Sequence, residues 1–299
     1  KRDLLWQEDE QKETYKLCAK MGICRHVNVF ISKENNPMDV LGIGANMVKS
    51  LRYWLQATGL TTEPNSGRRE QTLTPIGEII FKNDPYFEET GSLWLVHYNL
   101  AINEKKATAW YIFFNEFQML EFSEDDFYKA IRRYITMQED EAMPSSRVIS
   151  DDFKCIINTY YAGKRYGKES IDPENNIECP LTELGLINYV STVQGNRIYR
   201  KCTPKIENIP ELIVLYAILK QTGEQKEIKI STLQSAENSI GRIFLLDTLS
   251  LLNILYKLES MSFIKVVRTA GLDVIRIQKE ITPEECAELY YNELNGNQR

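Results

Sequence analysis

The stretch from Leu41 to Gly77 constrains the fold more than any other. It reads LGIGANMVKSLRYWLQATGL, then TTEPNSGRREQ, then TLTPIG. Asn35, Asn36 and Pro37 signal a turn, with Pro37 suited to the first position of a short helix through Val40. Gly42 and Gly44 permit a sharp reversal into a second helix. From Ala45 to Ala57, Met47, Val48, Leu51, Trp54 and Leu55 fall at helical spacing on one face. Gly59 suits the end of that helix. Leu60 and Thr61 open a strand, Pro64 to Gly67 form a turn with Arg68 and Arg69 at its tip, and Thr72 to Thr74 return toward a helix starting near Pro75. Helix, turn, helix and hairpin in this order predict a winged helix-turn-helix.

The face opposite the apolar stripe carries Lys49, Arg52, Tyr53 and Gln56 at i, i+3, i+4 and i+7, with Asn46 and Ser50 beside them. Lys and Arg neutralise phosphates or read guanine, Asn and Gln pair with adenine, and Tyr reaches the backbone. The bland alternative is a solvated helix face. Between Ile43 and Glu70, Lys49, Arg52, Arg68 and Arg69 outnumber Glu63 and Glu70. The expected contacts with double-stranded DNA are therefore Asn46, Lys49, Ser50, Arg52, Tyr53, Gln56, Arg68 and Arg69.

The whole chain has the opposite character. Its 299 residues carry a formal charge of −6, which argues against a surface that grips nucleic acid everywhere and confines any DNA contact to a local patch. The length calls for two or three modules. The six cysteines are widely scattered, without a CxxC pair and with only two histidines in the chain, a poor match to a zinc site or a disulfide framework. No metal ligands are assigned. No apolar run reaches bilayer-spanning length and no signal peptide is visible, so a cytoplasmic protein without membrane association is expected. The chain opens on Lys1, from which a missing stretch of natural N-terminus is expected.

The middle, Asp84 to Met143, reads as helical and aromatic. His97 lies on an apolar helix face with Leu93, Val96 and Leu100, where a hydrogen-bonded core histidine is expected. Trp110, Tyr111, Phe113, Phe114 and Phe117 have the density of a core, with base stacking as the alternative. Ser123 and Asp126 resemble a capping box, and Arg132 and Arg133 should be exposed. Four acidic groups invite a nuclease reading: Asp84/Glu88/Glu89, Glu124/Asp125/Asp126, Glu139/Asp140/Glu141 and Asp151/Asp152. None has the positioned Lys, His or Glu on a strand that such chemistry uses. They read as solvated or helix-capping residues, and no catalytic residue is assigned.

Met143 to Arg147 look like a linker before a helix from Asp151 to Tyr161. LTELGLI at Leu181–Ile187 echoes LTPIGEI at Leu73–Ile79, and a hairpin is expected around Gly195 and Asn196. The C-terminal third predicts a helix from Asn208 and Pro210 to Gly223, a strand at Ile228 to Ile230, and a helix capped by Ser231 and Gln234. A helix from Asp247 to Ser260 and a hairpin turning at Thr269 to Gly271 complete it. This second winged helix exposes Asn253, Lys257 and Glu259 and looks more suited to packing or a partner. The predicted fold is mainly α with small β-hairpins (α+β), with winged modules at 1–83 and 206–299 around a helical middle at 84–205.

The segments LGIGANMVKSLRYWLQATGL, LTPIGEIIF, DPYFEETGSLWLVHYNL, ATAWYIFFNEF and ECPLTELGLI together resemble the bacterial SspB-like family, formerly of unknown function. Its members occur in DNA phosphorothioation and phage-defence gene clusters. The family's short opening Gly-His aromatic motif is not found here. The resemblance implies a DNA-binding subunit that nicks one strand for sulfur incorporation, with Mg2+ or Mn2+ as the cofactor of such a metal-dependent nickase. It also implies a cysteine desulfurase, an ATPase and a sulfurtransferase resembling phosphoadenosine phosphosulfate reductase as partners. No catalytic set carries over residue by residue. A winged-helix transcription regulator and a protein-interaction scaffold without enzymatic activity remain the alternatives.

Overall fold

The computed structural model describes residues 30, 36–64, 70–138, 143–161, 163, 179–269 and 272–297. Helix α1 (Pro37–Leu41) is capped by the Asn36 side chain and ends at Gly42, whose φ of 63° is left-handed. Helix α2 (Ala45–Ala57) buries Met47, Leu51, Trp54 and Leu55 of the predicted stripe and leaves Val48 half-buried. Each such side chain contributes roughly 1.5–3 kcal/mol on burial. Strands β1 (Thr61–Thr62) and β2 (Thr72–Leu73) pair antiparallel, with Thr61 opposite Leu73. Helix α3 (Pro75–Asn83) follows, with Thr74 accepting from the Gly77 amide at its N-terminus.

Gly77 fixes how this end of the chain is put together. A Cβ there would stand 2.0 Å from the Leu60 carbonyl oxygen, so only glycine lets α3 seat on the backbone that leaves α2. The Thr74 hydroxyl bonds the Gly59 carbonyl at 2.6 Å and braces the same junction.

Helices α4 (Thr90–Ala101) and α5 (Thr108–Tyr111) form the centre, and α5 runs on into a π-helical turn at Ile112–Glu116. Strand β3 (Glu121–Phe122), α6 (Glu124–Met137) and α7 (Ser146–Tyr160) complete the middle. The Ser123–Asp126 capping box is present, and Arg132 and Arg133 are exposed. The expected linker is shorter than read, because Ser145 accepts from the Val148 amide and starts α7 at Ser146. Trp110, Tyr111, Phe113, Phe114 and Phe117 are buried core.

Strands β4 (Ile187–Val193) and β5 (Asn196–Lys201) form the expected hairpin and join β3 in the order β3-β5-β4. The echoing heptapeptides diverge in conformation. LTPIGEI enters α3, whereas LTELGLI ends a 3-10 turn at Gly185 (φ 66°) and turns into β4. Helix α8 (Glu211–Thr222) and β6 (Glu227–Lys229) come next. The following helix, α9 (Ile230–Ser235), begins at Ile230 behind Lys229, so the expected Ser231–Gln234 box does not start it. Instead, the Gln234 amide reaches the Leu246 carbonyl at 2.6 Å. Helices α10 (Ile240–Ile243) and α11 (Thr248–Ser260) lead to β7 (Ile264–Thr269) and β8 (Leu272–Ile277), giving a sheet of order β6-β8-β7. Helix α12 (Pro283–Asn297) packs against α3 and α8.

One buried apolar core runs from Phe30 to Tyr291 and draws on most of these elements, while α1 and β2 bury no side chain in it. Polar bonds cross it as well. Trp94 Nε1 donates to the Asn208 carbonyl at 2.7 Å, and the Gly91 amide donates to the Tyr290 hydroxyl at 3.1 Å. Among the described residues, no single helix is long and apolar enough to cross a membrane, and Cys155, Cys179 and Cys286 are buried while Cys202 is half-buried.

Candidate nucleic-acid interface

The outward face of α2 is exposed at Asn46 and Lys49 and half-buried at Arg52, Tyr53 and Gln56. Ser50 differs from expectation. It is only 5% exposed, because it lies at the edge of the buried stripe, one turn from both Met47 and Trp54. Arg68 and Arg69 lie outside the described residues.

Three of the predicted contacts are held in an internal network. Arg52 makes a two-pronged ion pair with Glu63, Nε to Oε2 at 3.0 Å and the guanidinium to Oε1 at 2.9 Å. Gln56 donates to the same carboxylate at 3.1 Å and accepts from Lys106 Nζ at 2.9 Å. The Tyr53 hydroxyl donates to the Lys106 carbonyl. Buried Gln71 bonds the Arg52 carbonyl at 2.7 Å, tying the base of the hairpin to α2. The residues that could read a base are thus pre-positioned, and the Arg52 charge is balanced by Glu63.

Lys49, Lys105 and Lys106 stand apart. All three are exposed and lack a carboxylate partner among the described residues. Sequence reasoning missed Lys105 and Lys106 because they belong to the loop between α4 and α5, far from α2 along the chain. Together with Gln56, Thr61 and Glu63 they border an open cleft of about 550 Å³.

The acidic groups separate into different roles. Asp84 is buried and accepts from the Glu88 and Glu89 amides at 2.9 and 3.0 Å, which fits the capping expectation. Asp151 and Asp152 do not fit it. Both are buried in α7, at 3% and 2% exposure, since they sit one turn from Cys155 and Ile156 on its packed side. Burial, and next the neighbouring Asp151, push the Asp152 carboxyl up to about 8. Among the described residues no group of three His, Cys, Asp or Glu side chains converges as metal ligands do. Glu139, Asp140 and Glu141 lie outside the described residues.

Two buried bases are structural by their partners. His97 Nε2 bonds the Ile243 carbonyl at 2.8 Å, and a carbonyl only accepts, so Nε2 carries the proton and Nδ1 accepts from the Tyr160 hydroxyl at 2.8 Å. Burial lowers its pKa to about 4 against the raising effect of the Ile243 carbonyl. Lys201 donates to the Phe113 and Phe117 carbonyls at the π-turn and lies 4.3 Å from the Phe113 ring centre. Desolvation lowers it to about 7. Its signal in the sequence is strand alternation, which puts it on the inward face with Tyr199.

These elements define a mixed helical protein with small antiparallel sheets and a polar, cation-bearing helix face near one end. Its fold is that of two solved structures, "Magnesium ion-bound SspB crystal structure" and "SspB crystal structure". They superpose with TM-scores of 0.78 and 0.76 at 24% identity, each covering 95% of this chain and 85% of that one. The chain belongs to the family described as "Protein of unknown function (DUF4007)", whose model matches residues 15–291. Comparison with curated proteins gave no match.

Proposed function

We propose that this protein is the DNA-binding subunit of a phosphorothioation-type defence system, contacting duplex DNA through α2. The observation that carries this reading is the group of exposed cations without carboxylate partners, Lys49, Lys105 and Lys106, around a helix face that presents Asn46, Arg52 and Gln56. In an acidic chain, such a group gives phosphates a local foothold. The SspB fold supports the system assignment. We read both ends as winged helices. At the C-terminal end the order α8, β6, α9 and α10, α11, β7, β8 with sheet order β6-β8-β7 supports this, and at the N-terminal end the β1–β2 ladder behind α2 does.

Strand nicking with Mg2+ or Mn2+ is the finer part of the proposal. One of the two similar solved structures is magnesium ion-bound. The described residues of this chain do not converge on a metal site, so no ligand and no chemical step are assigned. The same reading makes a cysteine desulfurase, an ATPase and a phosphosulfate-reductase-like sulfurtransferase its partners, in the cytoplasm.

Two measurements test the proposal. Fluorescence anisotropy with a labelled duplex should give an affinity that falls linearly on logarithmic axes as salt rises. No binding at low salt would leave the interaction-scaffold reading. Supercoiled plasmid incubated with Mg2+ or Mn2+, with and without chelator, should relax only when metal is available. Supercoils persisting at high protein concentration would leave a binding protein without nicking activity.

A further inference from the structure

We propose that the turn Asn103–Lys106, contributed by the helical middle, forms a phosphate-binding cleft that extends the α2 surface beyond the C-terminal end of the helix. The inference rests on the DNA-binding reading above and assigns it a second element.

The turn is fixed to α2 on three sides. Asn103 Nδ2 donates to the Ala57 carbonyl at 3.0 Å, in the last residue of the helix. The Asn103 side chain also accepts from the Lys106 amide at 3.2 Å, and its carbonyl accepts from Ala107 at 2.8 Å, so one residue holds both the helix and the turn. Tyr53 and Gln56 then bond the Lys106 carbonyl and ammonium. The two lysines are therefore presented by a braced backbone rather than by a loose loop.

The cleft they border suits an anion. Among the described residues its one lining carboxylate, Glu63, is occupied by Arg52 and Gln56. Glu104, the acid beside the lysines, accepts from the Tyr134 hydroxyl at 2.6 Å. Thr61 lines the same cleft and is buried, and its hydroxyl has no partner among the described residues, a polar group left unsatisfied in the cleft wall. A phosphodiester of the DNA strand leaving the α2 face fits within this space and matches its charge, with Lys105 and Lys106 as its cations.

The test is the salt dependence of duplex binding by three full-length proteins: wild type, Lys105→Ala/Lys106→Ala, and a control, Lys205→Ala/Lys229→Ala. The control removes equal charge from exposed lysines elsewhere. Each lost phosphate contact lowers the slope of log affinity against log salt by about 0.9, so the cleft variant should lose up to about 1.8 and the control nothing. The inference is overturned, with the DNA reading intact, if wild type binds with salt dependence and the cleft variant keeps its slope and affinity. It is also overturned if both variants lose slope equally, which would mean non-specific charge. No binding by wild type removes both readings.

Discussion

The helix-and-hairpin regions at the two ends of the described chain share an outline and differ in how their charges are spent. Around α11, Lys257 pairs with Glu211, Lys265 with Glu259, Arg268 with Asp273, Arg276 with Glu227 and Lys226 with Glu280. The exposed face of α11 and its hairpin instead offers Leu249, Tyr256 and Leu272. Around α2, Arg52 alone of the described cations is paired, and Lys49, Lys105 and Lys106 remain available. A count of basic residues would not separate these regions in favour of the first. Availability separates them in degree, since Lys229 and Lys279 are the C-terminal exceptions, exposed without a carboxylate partner among the described residues, and a paired ammonium must give up its carboxylate before it can take a phosphate.

The largest expected effects test what the two regions have in common. Gly241 in α10 would place a Cβ 2.1 Å from the Gln234 carbonyl oxygen, much as Gly77 would place one 2.0 Å from that of Leu60. Both regions thus seat a helix on backbone where only glycine fits. Alanine in a helix gains about 1 kcal/mol over glycine, but the overlap must be relieved by moving backbone. Gly77→Ala and Gly241→Ala should each lose about 3 kcal/mol net in urea unfolding. An unchanged midpoint in one of them would show that its region is loosely seated, and the parallel would end there.

Acidity should act next, on the helical middle that joins the two regions. The His97 pKa is lowered to about 4 in the fold, so its neutral form contributes stability above the unfolded value near 6.5 and loses it as pH falls toward 4. The loss, about 3 kcal/mol at most, is exerted at Nδ1, whose protonation displaces the bond it accepts from Tyr160, while the Nε2–H bond to Ile243 is kept. Asp152 works in the other sense. With its pKa raised to about 8, it favours the fold most below the unfolded carboxyl range and progressively less as pH rises to 8. Asp152→Asn should therefore raise the melting temperature at pH 8, by the equivalent of about 2 kcal/mol, and leave it unchanged near pH 3.5. Equal shifts at both pH values would mean that charge is not the cause.

On DNA, Lys49→Glu should weaken binding about tenfold, whereas Lys257→Glu on α11 should leave affinity within about twofold. Arg68→Ala/Arg69→Ala should weaken binding about equally across sequences, while changes at Asn46 or Arg52 should shift preference among them. Comparable losses from Lys49→Glu and Lys257→Glu would dissolve the contrast between the regions.

Much of the fold was legible in short-range signals. The α2 stripe, the Asn36–Pro37 start, the Gly42 stop, the Ser123 box and the β4–β5 hairpin all rest on spacing within a few residues. His97 was also readable as core, because its face is apolar. Long-range pairing was not legible. Glu63 clamping Arg52, Lys106 reaching Gln56, and Lys201 capping the Phe113 and Phe117 carbonyls depend on where distant segments meet. Asp151 and Asp152 misled for a related reason, since an acidic pair reads as surface until the packed side of α7 is known. Ser50 shows the limit within one helix, where a residue at the boundary of the stripe turns inward.

The smallest effect bears most directly on the contrast. If pairing rather than position keeps the C-terminal cations from DNA, then removing the partner charges should create a weak site there. Glu211→Gln, Glu259→Gln and Asp273→Asn together release Lys257, Lys265 and Arg268 while keeping polar acceptors, including one for the Val266 amide that Glu259 now holds at 3.0 Å. These ion pairs are solvent-screened, so the stability change should stay within about 1 kcal/mol. Combined with Lys49→Glu/Lys106→Glu, which silences the α2 surface, the triple change should restore a low, strongly salt-dependent affinity, about threefold above the silenced parent at low salt. No recovery would show that the apolar face of α11 excludes DNA whatever its charge, and the two regions would then differ in shape and chemistry rather than in the pairing of their cations.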